Sequence, residues 1–249
     1  MRLEETLGRG QYSEVKLGRL RDNTLVAVKC LELTRISKTL RFLRRELGIM
    51  REARHPNIVQ YLGCYKDDMT LYISMELCRT SLKDKMKNEG KLPEGFVRKV
   101  ARQAIDALAY LQKKKIAHRD VKPENILLDS NDDVKLVDFG LSRVLTEEQI
   151  TIVGTPYYLA PEVLKGDYSF ECDMWSLGVV LYFALFGYVP FKAEDSSMLF
   201  HRIANARPTF PEGASPDSMS FLQHLLSKNP RRRMTPAEAF AHPWLANQS

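Results

Sequence analysis

The sequence predicts an α+β fold, with strands gathered in residues 1–77 and helices dominating residues 78–249. Three observations carry this. Residues 3–31 alternate apolar and polar side chains in short runs broken by turn residues, which is strand patterning. Leu3–Leu7, Ser13–Leu20 and Thr24–Leu31 form a meander, and Ile58–Tyr65 and Thr70–Glu76 add two strands. After Glu76-Leu77-Cys78-Arg79-Thr80 the apolar spacing becomes helical, and strands followed by helices indicate an α+β architecture. The change in pattern places a boundary between a smaller and a larger lobe near residue 78.

Each element follows in order. The first turn, Gly8-Arg9-Gly10-Gln11-Tyr12-Ser13-Glu14-Val15, puts two glycines where backbone N–H groups can approach a phosphate chain. Such a turn is also an ordinary hairpin. It leads into a strand and not a helix, which argues against a dinucleotide-binding βαβ unit. The third strand ends Val26-Ala27-Val28-Lys29. Ser37–Arg51 carries Leu40, Leu43, Leu47 and Met50 at helical period, with Glu46 leaning toward the apolar face. An acid there needs a cation; Lys29 is one candidate, and a neighbouring arginine is the other. Ser81–Asn88 is a short helix. Pro93–Lys114 is a long one with Val97, Val100, Ala104, Ile105, Leu108 and Leu111 facing inward, and Pro93 suits its first turn. Ile126–Leu128 and Val134–Leu136 form a small strand pair, and residues 173–245 are helical with breaks at proline and glycine. The uncharged run Met174–Phe191 has nearly the length of a membrane span. Gly178, Gly187 and Pro190 interrupt it, so it reads as a buried helix ending near Gly187.

Composition narrows the function classes. At 249 residues, 44% hydrophobic and 27% charged, the chain builds a large core and is not a disordered protein. The net charge of +6 favours anionic ligands. The basic runs are short and lack interleaved aromatics, so nucleic acid is not expected. Cys30, Cys64, Cys78 and Cys172 are scattered with no CxxC pair, which indicates neither a disulfide framework nor a zinc site. With no signal-peptide pattern at the N-terminus, the expected compartment is the cytoplasm, the nucleus or both.

The chemistry concentrates in residues 118–125, His-Arg-Asp-Val-Lys-Pro-Glu-Asn, and in Asp138-Phe139-Gly140. One acid can take a proton from a hydroxyl, and a lysine can hold a phosphate. An amide and a second acid are hard oxygen ligands that suit Mg²⁺. These groups suffice for phosphoryl transfer, where catalysis is mostly positioning and charge neutralisation.

Taken together, Gly8–Val15, Lys29, Glu46, His118–Asn125, Asp138–Gly140 and Ala160-Pro161-Glu162, in this order and spacing, resemble a eukaryotic protein kinase catalytic domain over essentially the whole chain. The resemblance implies a two-lobed kinase fold, with ATP and Mg²⁺ as cofactors. Gly8 and Gly10 would cover the phosphates, Ser13 standing where a third glycine is usual. Leu7, Val15, Ala27 and Leu127 would sandwich adenine, Met75 would be the gatekeeper, and the backbone of Glu76 and Cys78 would bind the adenine edge. Lys29, paired with Glu46, would contact the phosphates. Asp120 would be the catalytic base and Lys122 would steady the γ-phosphate. Asn125 and Asp138 would hold Mg²⁺. His118 and Phe139 are implied to be packing residues below Met50 and Tyr61. Glu162 with Arg233 is implied as a buried structural pair, and Asp173 as a brace for the catalytic loop.

Lys122 with Gly154-Thr155-Pro156-Tyr157-Tyr158 resembles the serine/threonine class, Thr155 helping to receive the substrate hydroxyl. Within that class, Gly154–Leu164, Trp175–Phe191 and His242–Leu245 are similar to the calcium/calmodulin-dependent and checkpoint-like group, while Asn57–Gly63 is similar to cascade kinases, and both stay open. Glu124 is an acid of the kind that basic-directed relatives use, but Arg79, Lys83 and Lys85 stand where such relatives carry glycines and a glutamate. Thr151 sits where the family often carries an activating phosphate, placed there by an upstream kinase or by self-activation, with Arg119 and Arg143 to grip it. The competing classes are a pseudokinase or scaffold that binds ATP without turnover, and a dual-specificity kinase.

Overall fold

The computed structural model describes residues 1–9, 13–36, 47–48, 50–138, 156–167 and 169–246. Five antiparallel strands form the first sheet: β1 (Arg2–Arg9), β2 (Ser13–Arg19), β3 (Leu25–Glu32), β4 (Tyr61–Lys66) and β5 (Thr70–Glu76), in the order β1-β2-β3-β5-β4. The predicted meander is present, each strand within two residues of its expected ends except β4. There the expected start at Ile58 was too early. Ile58 and Val59 are apolar because they are buried against the rest of the chain, not because they pair in this sheet: Ile58 bridges Leu136, and the Val59 N–H donates to the Leu136 carbonyl at 2.9 Å.

Register decides which side chains share a face. Val15 lies opposite Lys29, Leu17 opposite Ala27, and Ala27 opposite Met75. Residues directly opposite one another, and residues two apart along a strand, point to the same side of a sheet. Val15, Ala27, Lys29 and Met75 therefore line one face.

A second sheet is small: β6 (Thr80–Ser81), β7 (Ile126–Leu128) and β8 (Val134–Leu136). Residues 57–59 lace the chain to it, since the Asn57 amide donates to the Val134 carbonyl at 2.9 Å and the Leu136 N–H to the Asn57 carbonyl at 2.8 Å. Following a short helical turn α1 (Leu33–Ile36), the remaining helices are α2 (Leu82–Glu89), α3 (Glu94–Lys113), α4 (Glu171–Phe186), α5 (Ser196–Asn205), α6 (Pro216–Leu225), α7 (Pro236–Ala241) and α8 (Pro243–Ala246). Of the expected helix Ser37–Arg51, residues 47–48 and 50–51 are helical and the rest lies outside the described residues.

All six inward residues expected of the long helix are buried in α3, which packs on α4. Helix α4 is enclosed on nearly every side, with Trp175 and Tyr182 fully buried. Gly178 is required there by close approach: a Cβ at that position would lie 2.9 Å from Leu225 Cβ on α6. The helix ends at Gly187, whose φ of 80° is left-handed and favours glycine. Its apolar length is thus explained by burial in protein. Among the described residues, no helix is long and apolar enough to cross a membrane.

Buried charge is tied down by pairing. Arg233 holds both carboxylate oxygens of Glu162 through Nη1 and Nη2, and its remaining N–H groups reach the Glu171 and Ser227 carbonyls at 2.8–3.2 Å. Such saturation is what an enclosed guanidinium requires.

Candidate active site

The catalytic-loop sequence forms a compact cluster. Lys122 Nζ lies 2.7 Å from Asp120 Oδ2, and the Asn125 amide donates to both the Asp120 carbonyl and Oδ2 at 2.8 Å. Asp120 is about two-thirds covered, and Asn125 is nearly buried. Two residues thus aim one carboxylate, and Pro123 at the start of the short turn Pro123–Asn125 fixes the intervening backbone.

Below the cluster, Asp173 at the start of α4 accepts the N–H groups of His118 and Arg119, both at 2.8 Å. Burial pushes the Asp173 carboxyl up, opposed first by His118 and then by the two backbone N–H bonds. Arg119 adopts a φ of 66°, a left-handed conformation uncommon for a long side chain. His118 is fully buried: its Nδ1 accepts the Asp120 N–H at 3.3 Å and its Nε2 lies 3.1 Å from the Val137 carbonyl. The ring is thus a spacer between two backbone groups.

Asp138 also has a left-handed φ of 64°, and its Oδ1 lies 2.7 Å from Lys29 Nζ, which is nearly buried on the lined face of the first sheet. The pair joins residues 109 apart in sequence. Whether Glu46 meets Lys29 or a neighbouring arginine lies outside the described residues; the Lys29–Asp138 contact is not among the expectations read from the sequence. Residues so far apart in sequence share no local pattern that indicates contact.

Of the expected nucleotide-contacting residues, Val15, Ala27, Lys29 and Met75 share the sheet face. Gly8 pairs with Val15, and nothing lies within 4 Å of a Cβ placed on Gly8. Leu7 is largely exposed, and Leu127 is part-buried in β7. Glu76 closes β5, its carboxylate bonded to the Gln60 N–H at 2.8 Å and to Lys135 Nζ at 3.2 Å. Burial pushes the Cys78 thiol up to about 12, with the Glu76 charge adding to it. Gly10, Glu46, Phe139, Gly140, Arg143, Thr151 and Thr155 lie outside the described residues.

The structure thus has an antiparallel sheet, a mainly helical remainder and two polar clusters, Asp120 with Lys122 and Asn125, and Lys29 with Asp138. The protein kinase domain family matches residues 1–245, and the chain belongs to that family. It is 38% identical to CDPK-related kinase 7 of Arabidopsis thaliana and 37% identical to calcium/calmodulin-dependent serine/threonine-protein kinase 1 of Oryza sativa subsp. japonica, each over 98% of this chain. It is 37% identical to serine/threonine-protein kinase 36 of Pongo abelii over 97%. The chain spans 45%, 44% and 19% of the length of these relatives. Two of these relatives carry serine/threonine-protein kinase in their names.

Proposed function

We propose that the chain transfers the γ-phosphoryl group of Mg-ATP to serine and threonine hydroxyls of proteins. The observation that carries this is the Asp120 cluster: one carboxylate held by a lysine and a buried amide, on a chain of the kinase family. Asp120 takes the hydroxyl proton as the substrate oxygen bonds the γ-phosphorus. The bond from that phosphorus to the β–γ bridging oxygen breaks, and ADP leaves. Lys122 neutralises the transferring group, and Thr155 helps Asp120 and Lys122 receive the hydroxyl.

Leu7, Val15, Ala27, Met75 and Leu127 enclose adenine, and the backbone of Glu76 and Cys78 meets its edge. Gly8 and Gly10 cover the phosphates. Lys29, oriented by Glu46, contacts the α- and β-phosphates, which then share the ammonium now beside Asp138. Residues 1–77 form the smaller lobe and 78–249 the larger, with nucleotide between them.

The donor set fits Mg²⁺. Among the described residues no group of three or more His, Cys, Asp or Glu side chains forms a metal cage. Asn125 and Asp138 supply hard oxygens, and Mg²⁺ characteristically combines one or two such ligands with substrate phosphates. Bound Mg²⁺ supplies neutralisation of phosphate charge.

Activation is proposed to proceed through phosphate on Thr151, gripped by Arg119 and Arg143. A phosphate adds about −1.5 to −2 charges and orders a segment through arginine pairing. An upstream kinase or the chain itself supplies it. We place the protein in the cytoplasm or nucleus, a reading supported by four unpaired cysteines.

The test is incubation with Mg-ATP and degenerate Ser, Thr and Tyr peptides, with Asp138→Ala as control and phosphosites mapped by mass. Transfer to Ser and Thr, absent in the control, supports the reading. Transfer to tyrosine as well indicates dual specificity. Silence with Thr151 phosphorylated favours an ATP-binding module without turnover.

A further inference from the structure

Glu124 lies in the catalytic loop, one residue before the asparagine that aims Asp120. Lys83 Nζ stands 3.0 Å from its Oε1, and the pair is solvent-exposed, Lys83 by 57% and Glu124 by 41%. Tyr158 is also near: burial first, and then the Glu124 charge, hold the Tyr158 proton on its hydroxyl. Glu124 therefore lies in the Asp120 loop, near enough to Tyr158 for its charge to be felt there. On the kinase reading, a peptide presenting its hydroxyl to Asp120 comes close to Glu124, four residues further along the same loop.

An isolated carboxylate at that place selects cations in the substrate. Here the cation is already supplied from within the chain. Lys83 is in the first turn of α2, and two contacts fix that turn: Ser81 caps it by accepting the Asp84 N–H at 3.0 Å, and Ser81 pairs with Leu127 in the small sheet. Among the described residues, three other cations of these segments meet other acids. Lys85 meets Glu89 at 2.8 Å, Lys135 meets Glu76 at 3.2 Å, and Arg79 pairs with Asp132. Among the described residues, Lys83 is the cation that stands against Glu124.

We propose that Lys83 is a specificity-determining residue that occupies Glu124 and closes it to basic substrate side chains. The proposal rests on the kinase reading above. The wild type accordingly takes peptides without needing arginine or lysine at the position that meets Glu124. Removing the lysine opens the site, and reversing its charge makes it basic-directed.

The experiment uses the full chain and serine peptides carrying Arg, Ala or Glu at each flanking position in turn. Two quantities are read: the Arg/Ala ratio of kcat/KM, and the Arg/Ala ratio of Kd from fluorescence anisotropy, which needs no turnover. For ion pairs at solvent-exposed positions, the expected gain in arginine preference is roughly two- to fivefold for Lys83→Met and about tenfold for Lys83→Glu, at one flanking position. Lys83→Met combined with Glu124→Gln loses most of the gain seen with Lys83→Met alone. The inference is overturned if wild type already prefers arginine and Glu124→Gln removes that preference, or if Lys83→Glu leaves both ratios unchanged. Absence of transfer from every form contradicts the kinase reading instead, while the anisotropy ratios still decide the role of Lys83.

Discussion

Asp173→Asn isolates the link between the buried helix and the catalytic loop. The carboxylate accepts two backbone N–H groups at 2.8 Å, from His118 and Arg119, in an environment that leaves it 4% exposed. Asparagine keeps the shape and one acceptor but turns an amide toward the other N–H. One hydrogen bond to a charged group is lost, worth about 1.5–3 kcal/mol, and a buried donor is left unpaired. The Arg119 backbone, with φ at 66°, carries a conformational cost of order 1–3 kcal/mol that the surroundings must hold in place. Asp173→Asn should therefore lose about 2–4 kcal/mol, within the roughly 5–15 kcal/mol of a typical domain, so the variant still folds. The released loop also carries Asp120, where a misplacement of about 1 Å can cost on the order of 100-fold in rate. Urea unfolding and steady-state kinetics test this together. The expected result is a clear fall in unfolding free energy, a kcat reduced by at least about tenfold, and nucleotide affinity within about threefold of wild type. Stability unchanged within about 0.5 kcal/mol, or nucleotide affinity falling as far as kcat, refutes the reasoning.

Three further outcomes follow from packing and charge. Arg233→Met strands the Glu162 carboxylate in the interior and should cost about 3–5 kcal/mol, while Glu162→Met with Arg233→Met should cost clearly less than the two single changes summed; thermal or urea unfolding of the cycle reads this, and additivity contradicts it. Gly178→Ala drives a methyl to 2.9 Å from Leu225 Cβ and should destabilise by about 1–3 kcal/mol, measured the same way. Lys228 donates to the Ile203 carbonyl at 2.6 Å above the Phe191 and Trp175 rings, and burial, with the Arg233 charge adding, lowers its ammonium to about 8 from the ordinary 10.5. Between those pH values the unfolded chain binds the extra proton, so this group's contribution to stability rises as pH climbs through the window and is least favourable below it. Lys228→Met should flatten that rise relative to wild type, and equal slopes for the two proteins contradict the assignment.

Periodicity made the meander, the inner stripe of α3 and the end of α4 at Gly187 legible, because each is written in neighbouring residues. The Asp120 cluster was legible for the same reason, its groups lying within six residues. Ile58 misled because a short apolar run serves a strand and a buried bridge equally well. The Lys29–Asp138 contact was not legible, since it joins residues 109 apart and depends on how the chain closes upon itself. Lys83 opposite Glu124 is of that kind too: the family resemblance singled out both positions, but only the fold brings the ammonium within 3.0 Å of the carboxylate.

The central claim is that Asp120 serves the chemical step while the nucleotide is held by other groups. Asp120→Asn preserves the size of the side chain and an acceptor for Asn125, and removes the base. Phosphate transfer from Mg-ATP to a Ser/Thr peptide, measured beside nucleotide affinity by calorimetry, tests this directly. The account predicts a fall in turnover of about 100- to 10,000-fold, with nucleotide affinity nearly unchanged. Turnover retained, or affinity lost in the same proportion, contradicts it.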